Sequence, residues 1–171
     1  TLASPGASNS LGANKALVID TTVPTISSVS LASDNSTIAV TFSEAVYTTT
    51  DASSVLVVGD FSFSISGGTA TLSSATPSSI SASGNVYTLE INYSSPLASG
   101  NETITVNPVT NSIYDAAGNV ASASQSNNTA SLNRQTISVV ASLEHDPNNG
   151  QYNSLIQVDD DTYALAFAGP S

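Results

Sequence analysis

The residues best placed to do chemistry stand in a short turn-forming segment, 115–119, which reads Asp-Ala-Ala-Gly-Asn. Asp115 and Asn119 flank Gly118, which lets the loop curl, so both side chains could face one ion. Calcium takes about six to eight oxygen ligands from carboxylates, amide carbonyls and backbone carbonyls. The segment is therefore a candidate calcium loop. The same spacing also suits a plain Asx turn, in which Asp115 accepts hydrogen bonds from backbone N–H groups.

Two other polar clusters could do chemistry, and each has a plainer reading. Residues 159–161 are three consecutive aspartates, of which two could share an ion, or which could form a solvated hairpin turn. His145 lies between Glu144 and Asp146 in a predicted turn. Adjacent residues in a turn point apart, and catalytic triads draw their groups from different chain regions. We therefore predict no catalytic role for His145, and no enzyme.

Composition narrows the class of partner. The 171 residues hold 13 acidic and only two basic side chains, for a net charge of −11. Nucleic acid and anionic membrane surfaces both require clustered basic residues, so neither is an expected partner. The excess of carboxylates suits hydrated cations or a solubilised extracellular surface. Cysteine is absent, which excludes disulfides and thiolate metal sites. No apolar run reaches the ~18 residues of a membrane-spanning helix.

Alternation of apolar and polar residues predicts an all-β chain. Residues 37–42 alternate cleanly, with Ile38, Val40 and Phe42 on one face. No apolar period of 3.6 residues lasts for the length of a helix. Residues 55–58 form a short apolar run, and Gly67-Gly68 is a hairpin signal. The strands predicted in this region are 25–32, 37–42, 61–65, 70–72, 86–93 and 102–106.

The chain divides into three predicted parts. Residues 1–22 read as a leader followed by the terminal strand, 16–19, and linker of a preceding repeat. Pro24 fixes the backbone where the next part, 23–134, begins. Residues 135–171 predict a short C-terminal β-meander with strands at 139–144, 152–158 and 163–167. This meander is too small to bury a core alone and would start a following domain. We therefore expect a segment of a longer protein.

Four motifs in order resemble bacterial immunoglobulin-like repeats, the tandem modules of giant surface adhesins and S-layer proteins. They lie at residues 23–26, 40–46, 87–89 and 113–119. The resemblance covers about residues 19 to 132. It implies an immunoglobulin-like Greek-key β-sandwich of about seven strands. It also implies a non-catalytic structural or adhesive role in an extracellular bacterial surface protein. The tail resembles repeat units of extracellular β-rich proteins, with a propeller-like domain as one alternative.

In several such repeats, carboxylates at the domain junction resemble calcium ligands that stiffen the rod. Carried over to this chain, the implied metal ligands are Asp20 in the linker, Glu44, Asp115 and Asn119. Residues 133–135, at the downstream junction, lack the pattern of the upstream one. The expected cofactor is therefore calcium at the upstream junction only. The expected partners are neighbouring domains of the same protein or identical subunits.

Two alternative functions remain open from the sequence. The apolar segment 16–19 could complete the sheet of a neighbouring subunit and so build a filament by strand donation. A carbohydrate-binding module that recognises a glycan or another cell-surface ligand would need an exposed aromatic platform. The tyrosines that could supply such a platform are Tyr47, Tyr93, Tyr114 and Tyr152.

Overall fold

The structure is a computed structural model that describes residues 7–8, 10, 19–94, 97–136, 139–145, 152–158 and 165–168. The chain forms two compact units, residues 1–133 and residues 134–171. Apart from Ile19, the predicted strand at 16–19 lies outside the described residues, as does the acidic run 159–161. Among the described residues, no helix has the length and apolarity needed to cross a bilayer.

Strands dominate the first unit, whose described residues form nine strands and one short 3₁₀ helix. The helix is Val58–Asp60. In chain order the strands are β1 Ile26–Leu31, β2 Thr37–Phe42, β3 Phe61–Ser66, β4 Thr71–Leu72, β5 Ile80–Ser83, β6 Val86–Glu90, β7 Tyr93–Ser94, β8 Thr103–Pro108 and β9 Thr129–Ser131.

The strands form two main antiparallel sheets, with the order β1-β2-β6-β5 in one and β3-β8-β9 in the other. The same order, four strands against three, defines the immunoglobulin-like sandwich. The predicted all-β Greek-key sandwich of about seven strands is therefore confirmed. The pair β4-β7 adds a two-stranded ribbon to the seven strands of the main sheets.

Alternating side chains from both sheets fill the core. Val40 and Phe42 of β2 are almost fully buried, as are Phe61 and Phe63 of β3 and Leu89 of β6. The rings of Phe42 and Phe61 meet with centroids 6.2 Å apart. Each fully buried large apolar side chain contributes about 1.5–3 kcal/mol, so this alternation holds the sandwich together.

Several local features differ from the sequence expectations. The predicted set of strands missed β5 and β9, whose residues are mostly exposed and therefore carry little apolar alternation. Gly67-Gly68 does not form a hairpin, because β3 pairs with β8 while β4 pairs with β7. Val55 and Val57 are more than half exposed, so the apolar run there is not a core strand.

The second unit contains a three-stranded antiparallel meander, β10 Val139–His145, β11 Tyr152–Val158 and β12 Leu165–Ala168. Ala141 lies opposite Ile156 in the first pair, and Leu155 lies opposite Ala166 in the second. The predicted C-terminal meander is therefore confirmed. His145 is the last residue of β10, whereas the sequence placed it in a turn.

Candidate metal centre at the N-terminal pole

The chain reaches β1 at one end of the sandwich, here called the N-terminal pole. At this end Ile26 pairs with Phe42, the last residue of β2. The loop after β2 meets the loop after β8, because the backbones of Tyr47 and Tyr114 form an antiparallel bridge. Loops that are far apart in sequence therefore bring three acidic segments to the same end of the first unit.

Asp115 is fully buried and forms the Asx turn that was the plainer reading of this segment. Its Oδ1 accepts hydrogen bonds from the backbone N–H groups of Ala117 and Asn119, both at 2.8 Å. The backbone N–H of Asp115 in turn donates to the carbonyl of Asn119 at 3.0 Å. These bonds fix Asp115 in one orientation and leave its second oxygen, Oδ2, to accept a hydrogen bond from the Asn119 side chain.

Three of the four predicted ligands bring carboxylate oxygens together. One oxygen each from Asp20, Glu44 and Asp115 lie within 4.8 Å of one another. Asp20 is exposed, Glu44 half-buried and Asp115 buried, so the cluster runs from the surface into the pole. Calcium–oxygen distances are about 2.3–2.6 Å, so two ligands on opposite sides of one ion lie about 5 Å apart. The spacing is therefore compatible with a single shared cation.

Asn119 joins the same cluster through its amide nitrogen. This Nδ2 donates to Asp115 Oδ2 at 2.8 Å and to the backbone oxygens of Asp20 and Thr22 at 3.1 and 3.3 Å. In this arrangement Asn119 ties the linker to the turn, whereas the sequence reading cast it as an oxygen ligand. The Thr22 carbonyl was not among the predicted ligands, because a backbone oxygen leaves no trace in residue type.

The linker from Asp20 to Thr25 is bound along its length to this pole. Thr22 N–H donates to its neighbour Asp20 Oδ1 at 2.9 Å, and Pro24 is fully buried. Thr25 and Ser43 exchange two hydrogen bonds: Thr25 N–H donates to Ser43 Oγ, and Ser43 N–H donates to the Thr25 carbonyl. Asp20 is therefore held near the acids of the sandwich by its own contact with Asn119 and by the contacts of the linker residues that follow it.

The cluster concentrates negative charge. Burial raises the pKa of Glu44, and the charges of Asp115 and Asp20 raise it further. Burial also opposes ionisation of Asp115, but hydrogen bonds from Asn119 and Ala117 outweigh it and keep the pKa of that carboxyl below its usual value. A cation at this point would relieve the repulsion between carboxylates that share the site.

Glu102 is a second buried carboxylate, which the sequence reading did not single out. Its two oxygens accept hydrogen bonds from the backbone N–H groups of Thr69, Ala70, Ser99 and Gly100 and from the Ser99 hydroxyl. These donors, of which the Ala70 N–H contributes most, hold the pKa of Glu102 far below its usual value. Protein groups therefore satisfy this carboxylate, which joins two loops.

The described tyrosines that were candidates for a glycan-binding platform are partly or largely packed into the first unit. Tyr47 and Tyr114 are half-buried, and Tyr114 donates its hydroxyl hydrogen to the Asn111 carbonyl. The Tyr93 hydroxyl is buried, and burial raises its pKa to about 12. The side chain of Tyr152 lies outside the described part of the structure. Glycan binding therefore stays a prediction.

Comparison with known proteins identifies the fold family. A family model described as bacterial Ig-like domain matches residues 13–133, more than half of the chain. No curated protein and no solved structure matches the chain significantly. Domains of this family occur in bacterial surface proteins and are typically non-catalytic structural modules. The two-sheet strand order of the first unit and this match lead to one conclusion: the chain belongs to the bacterial Ig-like domain family.

Proposed function

We propose that this chain is a non-catalytic structural and adhesive module of an extracellular bacterial surface protein, made rigid by calcium at its N-terminal pole. The observation that carries the proposal is the approach of the Asp20, Glu44 and Asp115 carboxylates to within 4.8 Å. Its expected partners are the neighbouring domains of the same protein or identical subunits. Family membership supports the module role, and the oxygen-rich cluster supports the metal.

Calcium would act by joining the linker to the sandwich. Asp20 belongs to the linker, whereas Glu44 and Asp115 belong to loops of the sandwich. The backbone oxygens of Asp20 and Thr22 already lie beside Asn119 and would add neutral ligands. A half-turn of the Asn119 amide would present its Oδ1 in place of Nδ2. A bound ion would then restrict the backbone torsions of the linker, whose freedom otherwise opposes a fixed direction.

Thermal unfolding with and without calcium tests this proposal. We expect saturating calcium to raise the melting temperature, because a ligand at 100 times its Kd stabilises the folded state by about 2.7 kcal/mol. Glu44→Gln should abolish the rise by removing one charged ligand. It should also stabilise the calcium-free protein slightly, by about 0.5 kcal/mol, because it removes a solvent-screened repulsion.

Glu90→Gln is the matched control, since Glu90 is exposed on β6 and its carboxylate accepts a hydrogen bond from Ser79. This variant should keep the full response to calcium. Magnesium should give a weaker response, because it demands a tighter octahedral shell and gives up its water reluctantly. An unchanged melting temperature of the wild-type chain between chelator and millimolar calcium would refute the metal part of the proposal.

Strand donation is the second candidate, and one observation favours it. The short edge strand β5 borders an apolar groove of about 400 Å³. Val46, Leu56 and Ile80 contribute to its walls. An added strand could pair with the open edge of β5 and place alternate side chains in the groove. A polymer that dissolves on deletion of residues 1–18 would support this function, and a wild-type monomer at high concentration would count against it.

A further inference from the structure

β1 and β9, the first and last strands of the sandwich, lie beside each other. β1 starts next to Gln125, which precedes β9, and its following turn ends next to Asn133, which succeeds β9. The two strands therefore run in the same direction. The chain enters at the N-terminal pole and leaves at the opposite end, here called the C-terminal pole.

At the C-terminal pole, the side chain of Asn35 pairs with the backbone of Asn133. Asn35 Nδ2 donates to the Asn133 carbonyl at 2.8 Å, and Asn35 Oδ1 accepts from the Asn133 N–H at 2.8 Å. Asn133 Nδ2 also donates to the Ala32 carbonyl at 3.1 Å. Asn35 is completely buried, so the side chain in these first two bonds is out of water, whereas Asn133 and its bond to Ala32 are exposed. The side-chain amide of Asn35 thus makes the pair of hydrogen bonds to the Asn133 backbone that a residue of a neighbouring strand would otherwise make.

At the N-terminal pole, Gln125 makes the corresponding tie. Its Oε1 accepts a hydrogen bond from the Ile26 N–H at 2.9 Å, across 99 positions of sequence. Its Nε2 donates to the Ser122 carbonyl at 2.8 Å, which fixes the side chain in place. The line along which β1 and β9 lie side by side is here called the β1–β9 seam. At each end of this seam, a side-chain amide bonds to the backbone where the chain enters or leaves the sandwich.

We infer that these amide ties form a tension-bearing latch, with Asn35 as its main positioning residue. A pull on the two ends of the chain draws Ile26 outward at one pole and Asn133 outward at the other. Because β1 and β9 are parallel, this pull shears them past each other and loads both ties at once. The inference rests on the proposed role as a module that spans distance. Resistance to tension is the additional function.

Unfolding under constant tension, with the full chain held by its two ends, tests the latch. Asn35→Gly removes the side-chain bonds, and glycine accepts the left-handed backbone of this turn, whose φ is +63°. We expect the first unit, recognised by the length of chain released, to unfold ~10-fold faster under tension. Without tension, in denaturant, we expect the rise to be at most ~3-fold, because that pathway need not begin at the latch.

Two further variants keep the test decisive. Asn35→Asp retains the acceptor for the Asn133 N–H but loses the donor, so its effect under tension should be intermediate. Asn111→Gly is the control, because Asn111 has a similar φ of +58°, is exposed and lies outside the seam. It should leave the rate under tension within ~2-fold of wild type.

Equal acceleration of Asn35→Gly with and without tension would overturn the latch, as would no acceleration under tension. If Asn35→Gly does not fold, Asn35→Asp decides by the same comparison of rates. The measurements are made in calcium and in chelator. A tension-specific effect in both would support the latch even if the calcium titration failed. A calcium response without a tension-specific effect would refute the latch and leave the proposed function standing.

Discussion

Glu102 keeps its negative charge in the interior because backbone and hydroxyl donors surround both of its oxygens. Its pKa lies far below its usual value of 4.5. Between the folded pKa and about pH 4.5, Glu102 is therefore protonated in the unfolded chain but ionised in the folded chain. The resulting stability is fully present above about pH 4.5 and is lost as the pH falls towards the folded pKa.

This linkage predicts a steeper acid unfolding for the wild-type chain than for Glu102→Gln. The variant should be less stable at pH 7, because its amide cannot accept all of these hydrogen bonds and its NH₂ group meets backbone donors. The difference should narrow as the pH drops below 4.5. Urea unfolding at pH 7, 5, 4 and 3 measures it, and a difference that stays constant with pH would contradict the assigned pKa shift.

The family resemblance singled out three acids that lie close together at the N-terminal pole, but it did not give all of their contacts. Glu44 and Asp115 come together because their loops follow β2 and β8, whose registers are set by apolar alternation, and Asp20 joins them from the linker that leads into β1. The amide nitrogen of Asn119 and the carbonyl of Thr22 depend on backbone geometry, which residue type does not encode. Calcium binding itself stays a prediction.

At the scale of elements, the loop after β3 shows why Gly67-Gly68 was misread as a hairpin. Both glycines have positive φ, as hairpin glycines do. Here the reason is the close approach of another loop: a Cβ on Gly67 would meet the carbonyl of Asn101, and one on Gly68 would meet the Glu102 side chain. Glycine pairs signal a special backbone, but the sequence does not distinguish a turn from a close contact.

Gly68→Ala should therefore destabilise the protein more than Gly84→Ala. Both positions have φ near +55°, so each substitution costs about 1–2 kcal/mol in backbone strain. Only at Gly68 does the new methyl group displace Glu102 from its donors, whereas nothing lies within 4 Å at Gly84. We expect an additional loss of about 1–3 kcal/mol from the disturbed hydrogen bonds. Thermal unfolding of the pair measures the difference, and equal losses would contradict the contact.

At the scale of the whole molecule, the predictability of the fold depended on burial. β2 and β6 alternate apolar and polar residues because one face lies in the core, and the sequence showed them clearly. β5 and β9 lie at sheet edges and consist largely of exposed small residues. Their place follows from pairing with β6 and β8, which is tertiary information that local periodicity does not carry.

Calcium at the N-terminal pole should also change the protection of the linker as a whole. We expect the amides of residues 19–26 to exchange hydrogen more slowly in calcium than in chelator, because an ion would close the linker onto the sandwich. Residues 86–90 in β6 serve as the internal reference and should not change. Equal exchange rates of the linker amides in calcium and in chelator would contradict the proposal that calcium closes the linker onto the sandwich.

The burial of Asn35 also bears on how the protein is produced. Asn35, Ser36 and Thr37 spell the acceptor sequence for N-linked sugar, and the side-chain nitrogen is the atom that would receive it. In the folded domain this nitrogen is fully enclosed and bonded to the Asn133 carbonyl. Glycan transfer in a eukaryotic secretory host could therefore occur only before the chain folds, and a sugar at this position would keep Asn35 and Asn133 apart at the C-terminal pole. Bacterial expression avoids this competition.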